Sequence, residues 1–488
     1  MAWQGVGCLL LLVLVSCGTD ALRKRSKLGL LRAPPLPNGA SDPPDVYFTQ
    51  VLDHSNPTNN QTWQQRYQVV TDYYTDGGPV FIMLGGEGPA DGSWLVDSNM
   101  VNYAKQYNAL MFQLEHRYYG NSHPTNDTSV DNLVYLTSEQ ALADIAYFVA
   151  GMNVQYNLTS DTKWIAFGGS YSGNLAAWVR LKYPHLIHAA MSASGPVLAK
   201  VDFFEYMDVV KTSLGTCGQS CVKAIRMADR KINQLLKNKS GQKTIESLFS
   251  LCDPIDTTNQ NDVWNLLMSF ADNFAIIVQY NKDNNGLTIT IDDLCEIMTN
   301  TTMGSPLVRY AAVNKLLMDL FEETCVSYKY DAMIEQLKET AWSSQAVYFG
   351  ARTWTYQTCT EFGYYQTSET KQEFFSKDFP IKFFLQQCSD IFGDKFTDEE
   401  IYDGAIRSNA IYGGKDLQAT RVVYVHGTID PWHALGVTST VVPESPVILI
   451  NGTAHCANMY TPRSSDLPAL TAARKQVGEL IGQWLQEN

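Results

Sequence analysis

The chain has 488 residues, well beyond one ordinary domain of roughly 150, so it holds two or three units or one domain with a large insertion. At 45% hydrophobic and 18% charged it has globular composition, which excludes a disordered chain, a collagen and a coiled coil. A net charge of −14 argues against a nucleic-acid partner, because nucleic-acid binding needs a basic footprint.

The first seventeen residues carry no charged side chain, and residues 8–15 read CLLLLVLV before Ser16, Cys17 and Gly18. That run is too short to span a bilayer and fits the apolar region of a signal peptide over residues 1–18. The n-region lacks Lys and Arg. Its absence argues against the lipoprotein box that Leu14-Val15-Ser16-Cys17 also matches. Residues 19–45 are basic, then proline-rich, and read as a flexible lead-in or pro-segment. No later run of eighteen apolar residues occurs, so no transmembrane segment is expected.

Strand and helix signals then alternate over 46–198. Val80–Leu84 is an apolar strand that stops at Gly85-Gly86, and Ala109–Leu114 is a second. Ser138–Met152 has helical spacing with Ser138 as its N-cap. Trp164–Phe167 is a third strand, Asn174–Tyr183 a helix, and Ala189–Ser192 a fourth strand. Residues 199–415 turn helical and Cys-bearing. Strands return over 416–488, at Val422–Val425 and Val447–Ile450, and Leu467–Leu485 closes the chain as a helix. The pattern predicts one α/β domain with a mainly parallel sheet, interrupted by a helical insertion.

Six sequons, at Asn60, Asn126, Asn157, Asn238, Asn300 and Asn451, fit a secretory route. Eight cysteines remain after the signal, six of them between 221 and 388, and allow up to four disulfides in an oxidising compartment. A metal at Cys217-Gly-Gln-Ser-Cys221 would need a second close pair or a His partner, and neither is present. No metal or cofactor is expected.

The chemistry concentrates at Phe167-Gly168-Gly169-Ser170-Tyr171-Ser172-Gly173, where a strand meets a Gly-flanked Ser and a helix follows. This is the context of a nucleophile elbow, although Ser172 stands where the second motif glycine belongs. A serine needs a base, and the base needs an acid to hold it. Asp430 and His455 follow Ser170 in the order this architecture uses, each just past a late strand. His433, on the Asp430 loop, and His426, at the strand end, are competing bases. The oxyanion hole would use the backbone N–H of Tyr171 and one from Gly85-Gly86-Glu87, with Gly86 favoured. Glu87 would either bind a substrate amine or anchor its loop.

These residues, with GGEGPADG at 85–92, EHRYYG at 115–120, LTSEQALAD at 136–144, GGSYSGNLAAW at 168–178, TYQTCTEFG at 355–363 and DPWH at 430–433, resemble the prolyl serine peptidases. That family includes the lysosomal Pro-X carboxypeptidase, dipeptidyl peptidase II and thymus-specific serine protease types. The stretch DFFEYMDVV at 202–210 points to the last of these. The resemblance covers about residues 46–486. It implies an α/β-hydrolase fold with a helical cap, the triad Ser170, Asp430 and His455, and bridges Cys221–Cys295, Cys252–Cys325 and Cys359–Cys388. Cys217 and Cys456 are left over. The family's Pro-X and dipeptidyl enzymes carry Asn and Asp where this chain has Gly86 and Pro89. The expected activity is that of a secreted or lysosomal exopeptidase on short peptides beside proline, either chain end being open. A homodimer is a further expectation. A lipase or esterase would use the same triad, and a non-catalytic binding protein would be expected to lack one of its members.

Overall fold

In a computed structural model, the described residues are 31, 33–282, 288–372 and 374–487. The expected signal peptide and about half of the lead-in lie outside them. Ten strands are seen among the described residues: β1 (Val46–Val51), β2 (Thr62–Val70), β3 (Val80–Leu84), β4 (Leu110–Leu114), β5 (Trp164–Gly169), β6 (Ala189–Ala193), β7 (Lys200–Asp202), β8 (Gly363–Tyr365), β9 (Val422–Gly427) and β10 (Val447–Ile450). Eight form one sheet in the order β1-β2-β4-β3-β5-β6-β9-β10. β2 pairs antiparallel with both β1 and β4, and every other pairing in this sheet is parallel.

Parallel strands are joined by crossovers, which cover both faces of the sheet, so the central strands are apolar throughout. Val80, Ile82 and Leu84 of β3 face the helices Ser138–Gln155 and Tyr171–Lys182, while Phe81 and Met83 face Asn99–Tyr107 and Pro468–Gln486. The sheet is α/β-hydrolase in type: β6 and β9 are neighbours, yet 228 residues separate Ala193 from Val422 (422 − 193 − 1). Helices dominate that interval, and β7 and β8 pair within it as a small parallel sheet. Three disulfides cross-link it, Cys221–Cys295, Cys252–Cys325 and Cys359–Cys388. Cys217 and Cys456 are free thiols. Because Cys221 is bonded to Cys295, it is not a thiolate ligand for a metal.

One buried polar contact ties the insertion to the sheet domain, and two buried ion pairs brace the sheet domain itself. The Glu361 carboxylate accepts the backbone N–H of Ser138 at 3.0 Å and its hydroxyl at 2.6 Å. A carboxylate at a helix N-terminus also meets the positive end of the helix dipole. The N-cap of that helix is Thr137, whose Oγ1 accepts from the Gln140 N–H at 3.1 Å, and not Ser138 as the sequence predicts. Ser138 serves Glu361 instead. Arg117 holds Asp144 with two 2.6 Å bonds, both residues fully buried. Arg66 likewise holds Glu115. Removing one partner of such a pair would strand a buried charge, at a cost of about 3–5 kcal/mol.

Candidate active site

β5 runs straight into Ser170, and the next residue begins the Tyr171–Lys182 helix. Ser170 takes φ 59° and ψ −132°. For a residue with a Cβ that conformation costs about 1–3 kcal/mol and survives only where surroundings enforce it. The Ser170 N–H donates to the Ala193 carbonyl of β6 at 2.9 Å. A Cβ on Gly168 would lie 1.9 Å from the Ser172 carbonyl oxygen, and one on Gly173 would lie 2.8 Å from the Ala193 carbonyl oxygen. The turn is therefore too tight for side chains there. Ser172 is tolerated in the irregular motif position because its hydroxyl is used internally. It donates to the Gly169 carbonyl at 2.8 Å and accepts the Gly169 N–H at 3.0 Å.

Asp430 and His455 sit just past the carboxyl ends of β9 and β10. Neighbouring strands bring the two loops together across 25 residues, with Asp430 Oδ1 2.9 Å from His455 Nδ1. The same carboxylate oxygen accepts the Trp432 N–H at 3.0 Å. The Ser194 hydroxyl accepts the Cys456 N–H at 2.9 Å, tying the His455 loop to the end of β6. Burial opposes charge on both partners. The His455 charge nevertheless holds the Asp430 carboxyl below its usual range, and the Asp430 charge and hydrogen bond hold the His455 imidazole well above its own. The two competing histidines do not share this geometry. His433 Nδ1 meets the Asp430 backbone carbonyl at 2.6 Å, and His426 is packed under Gly436 with a pKa pushed down to about 4 by burial.

The glycine-rich loop after β3 divides its duties. The Gly85 N–H is taken by the Leu114 carbonyl at 2.8 Å, which leaves it unable to serve an oxyanion. Gly86 lies against Ser172. Glu87 is buried beside Ser170: burial raises its pKa, while its own backbone N–H, the charge of His455 and the Ser170 hydroxyl pull the other way. Tyr171 opens its helix, so its N–H has no intrahelical acceptor. Its phenol accepts from Gln357 Nε2 at 3.0 Å and lies 3.1 Å from His116 Nε2. His116 Nδ1 bonds to a carbonyl, the Arg117 oxygen at 2.7 Å, so Nδ1 carries the proton and Nε2 accepts from Tyr171.

With this geometry, the sequence profile of serine carboxypeptidase S28 matches residues 50–477. The chain belongs to the serine carboxypeptidase S28 family. It is a serine-type peptidase. Thymus-specific serine protease of Mus musculus is 33% identical over 91% of this chain and 88% of its own length. Lysosomal Pro-X carboxypeptidase of Homo sapiens is 30% identical over 98% of this chain and 97% of its own. Among solved structures, proline iminopeptidase of Mycobacterium smegmatis aligns with a TM-score of 0.40 and 11% identity, covering 90% of this chain and 99% of that one.

In this S28 peptidase a cavity of about 470 Å³ lies over Ser170, between the sheet domain and the insertion. Its walls include Glu87, Tyr280, Trp354, Tyr364 and Trp432. Sequence reasoning missed the contribution of the Gln260–Gln279 helix. Its last residue, Gln279, accepts the His455 N–H on its carbonyl at 2.9 Å and the Trp432 indole and Tyr206 hydroxyl on its side chain at 3.0 and 2.6 Å. No local signal marks Gln279, which lies 176 residues before His455 in the chain (455 − 279). All six sequon asparagines are exposed, and Asn238 and Asn300 also cap local turns through their side chains.

Proposed function

We propose that this peptidase cleaves short peptides through Ser170, His455 and Asp430. The observation that carries the reading is the 2.9 Å bond between His455 Nδ1 and Asp430 Oδ1 at the strand ends beside a strained Ser170. With Asp430 on Nδ1, the Nε2 of His455 is left to act as base. Ser170 Oγ turns from Glu87 to His455, gives up its proton and attacks the scissile carbonyl carbon. The oxyanion is received by the Tyr171 N–H and by the Gly86–Glu87 segment, of which Glu87 lines the cavity. His455 then returns the proton to the departing amine, and water activated by the same imidazole releases the acyl group. Glu87 lines the cavity with Ser170, where it would meet a substrate amine or anchor its loop.

Two features support short peptides and proline. The insertion roofs the cavity, so a peptide end fits where a folded chain does not. Trp354, Tyr364 and Trp432 offer flat apolar walls for a compact ring. Larger side chains would be rejected by overlap. Exposed sequons and three disulfides support a secretory route to the cell exterior or to the lysosome. The residue ranges 46–198, 199–415 and 416–488 serve as first half, cap and second half of the hydrolase unit. The test is fluorophosphonate labelling of purified protein followed by mass-spectrometric profiling of a peptide library. Indifference to where proline sits, or efficient internal cleavage of casein, would remove the proline exopeptidase reading.

A further inference from the structure

Resting on the proposed hydrolysis at Ser170 with the Tyr171 N–H as an oxyanion donor, we infer that Gln357 of the insertion is a positioning residue for that donor and acts through the Tyr171 phenol. The Tyr171 backbone follows the nucleophile and opens the elbow helix, while its side chain enters a buried polar chain. The sense of each bond in that chain is fixed from one end. His116 Nδ1 donates to the Arg117 carbonyl at 2.7 Å, so His116 Nε2 accepts the Tyr171 hydroxyl proton at 3.1 Å. Burial pushes the His116 pKa down to about 4, which keeps the ring neutral and this sense intact at neutral pH. With its proton spent, the Tyr171 oxygen accepts from Gln357 Nε2 at 3.0 Å. Gln357 Nε2 also donates to Glu361 at 3.3 Å, and Gln357 Oε1 accepts from the Tyr119 hydroxyl at 2.6 Å. A carboxylate or an apolar side chain at 357 could not both donate to Tyr171 and accept from Tyr119.

The elbow needs such a tether. Ser170 is held in a backbone conformation that its surroundings must enforce. Its own N–H is fixed to the Ala193 carbonyl, but the Tyr171 N–H has no intrahelical acceptor to hold the following peptide unit. The Tyr171 ring packs against Trp354 and Phe362, with centroids 5.3 and 5.4 Å away. Such ring contacts let the side chain slide, whereas the two phenol hydrogen bonds set its depth and rotation. Gln357 ends the short helix Ala351–Gln357, and the turn that continues it, Thr358–Phe362, is a π-helix, a rare form that recurs at functional sites. The residue before that short helix is Gly350, where a Cβ would lie 2.2 Å from the Glu87 carbonyl oxygen. One segment of the insertion thus bears on both backbone segments proposed to receive the oxyanion.

The test uses the full-length enzyme carrying Tyr171→Phe, which keeps the ring and the backbone N–H, or Gln357→Met, which keeps the length without the amide. Each is expected to lower kcat by roughly 10- to 100-fold, up to the loss seen when one oxyanion donor is removed, with KM within about twofold. The rate constant for fluorophosphonate labelling of Ser170 should fall by the same factor, because the phosphoryl oxygen of the probe enters the same hole. The double variant should be no slower than the slower single variant, since both changes break one bond. Tyr171→Phe removes a single atom and carries the test should Gln357→Met fail to fold. A lower melting temperature with unchanged kcat and labelling rate would show that the chain only braces the fold, and overturns the inference. A rise in KM alone, or two effects that multiply independently, overturns it as well. Each of these results leaves hydrolysis at Ser170 standing. Hydrolysis that persists in Ser170→Ala removes that reading, and this inference with it.

Discussion

The backbone N–H of His455 donates to the carbonyl oxygen of Gln279 at 2.9 Å, so the proposed base is held by a helix of the insertion as well as by Asp430. The insertion is thereby part of the proposed catalytic geometry, beyond covering it. Gln279 also accepts from the Tyr206 hydroxyl and the Trp432 indole, and Trp432 sits two residues from Asp430. Gln279→Leu would remove the one oxygen, Oε1, that accepts both bonds and strand two donors, at about 1–3 kcal/mol for each group left buried. The expected outcome is a folded enzyme with kcat lowered about tenfold or more. Steady-state kinetics, with circular dichroism to check folding, would measure it; an unchanged kcat would mean that the Gln279 side chain does not position the Trp432 and Asp430 loop.

Ser170→Ala should abolish fluorophosphonate labelling and lower peptide hydrolysis by about 10⁴- to 10⁶-fold, since triad members act as a unit. His455→Ala should fall to a similar level, and Asp430→Asn by about 10⁴-fold through loss of the correct His tautomer. His433→Ala should keep most activity, because His433 is turned to a backbone carbonyl. Inactivity of His433→Ala with an active His455→Ala would transfer the role of base.

Gly168→Ala tests the elbow itself. The added Cβ would lie 1.9 Å from the Ser172 carbonyl oxygen, a backbone atom that yields only if the strand-to-helix turn opens. Activity should be lost together with thermal stability, in contrast to Ser170→Ala, which should keep its melting temperature. A stable, active Gly168→Ala protein would show that the turn is not tightly closed.

The insertion carries a buried acid pair, Asp229 and Asp378, with Ser376 and Asn233 as their polar neighbours. Burial first, then the charge of Asp229, pushes the Asp378 carboxyl up to about 8. A raised carboxyl stabilises the fold below its unfolded pKa near 4 and loses that stability as pH rises through the folded value. The melting temperature should therefore fall between about pH 4 and pH 8, and Asp378→Asn should flatten that slope and raise stability at neutral pH. Differential scanning calorimetry across this range measures both proteins; parallel curves would mean that the pair does not govern the pH response.

The central strands were legible because each is a short apolar run bounded by turn residues, and crossover burial on both faces makes such runs continuous. Ser170, Asp430 and His455 were legible because strand ends and chain order mark them. β1 and β2 were not. β2 reads Thr-Trp-Gln-Gln-Arg-Tyr-Gln-Val-Val, and its buried Gln65, Arg66 and Gln68 donate to Glu115 and Asp45 from elsewhere in the chain. Local hydrophobic pattern has no record of a distant hydrogen-bond partner.

Sequence alone determined the class of fold, the elbow and the order of the three proposed catalytic groups, since these rest on periodicity, small residues at a tight turn and spacing along the chain. The tertiary structure decided which histidine meets the acid, which loop N–H is already spent on the sheet, and that Gln279 of the insertion reaches the site. Those are matters of direction and charge between segments brought together only by folding.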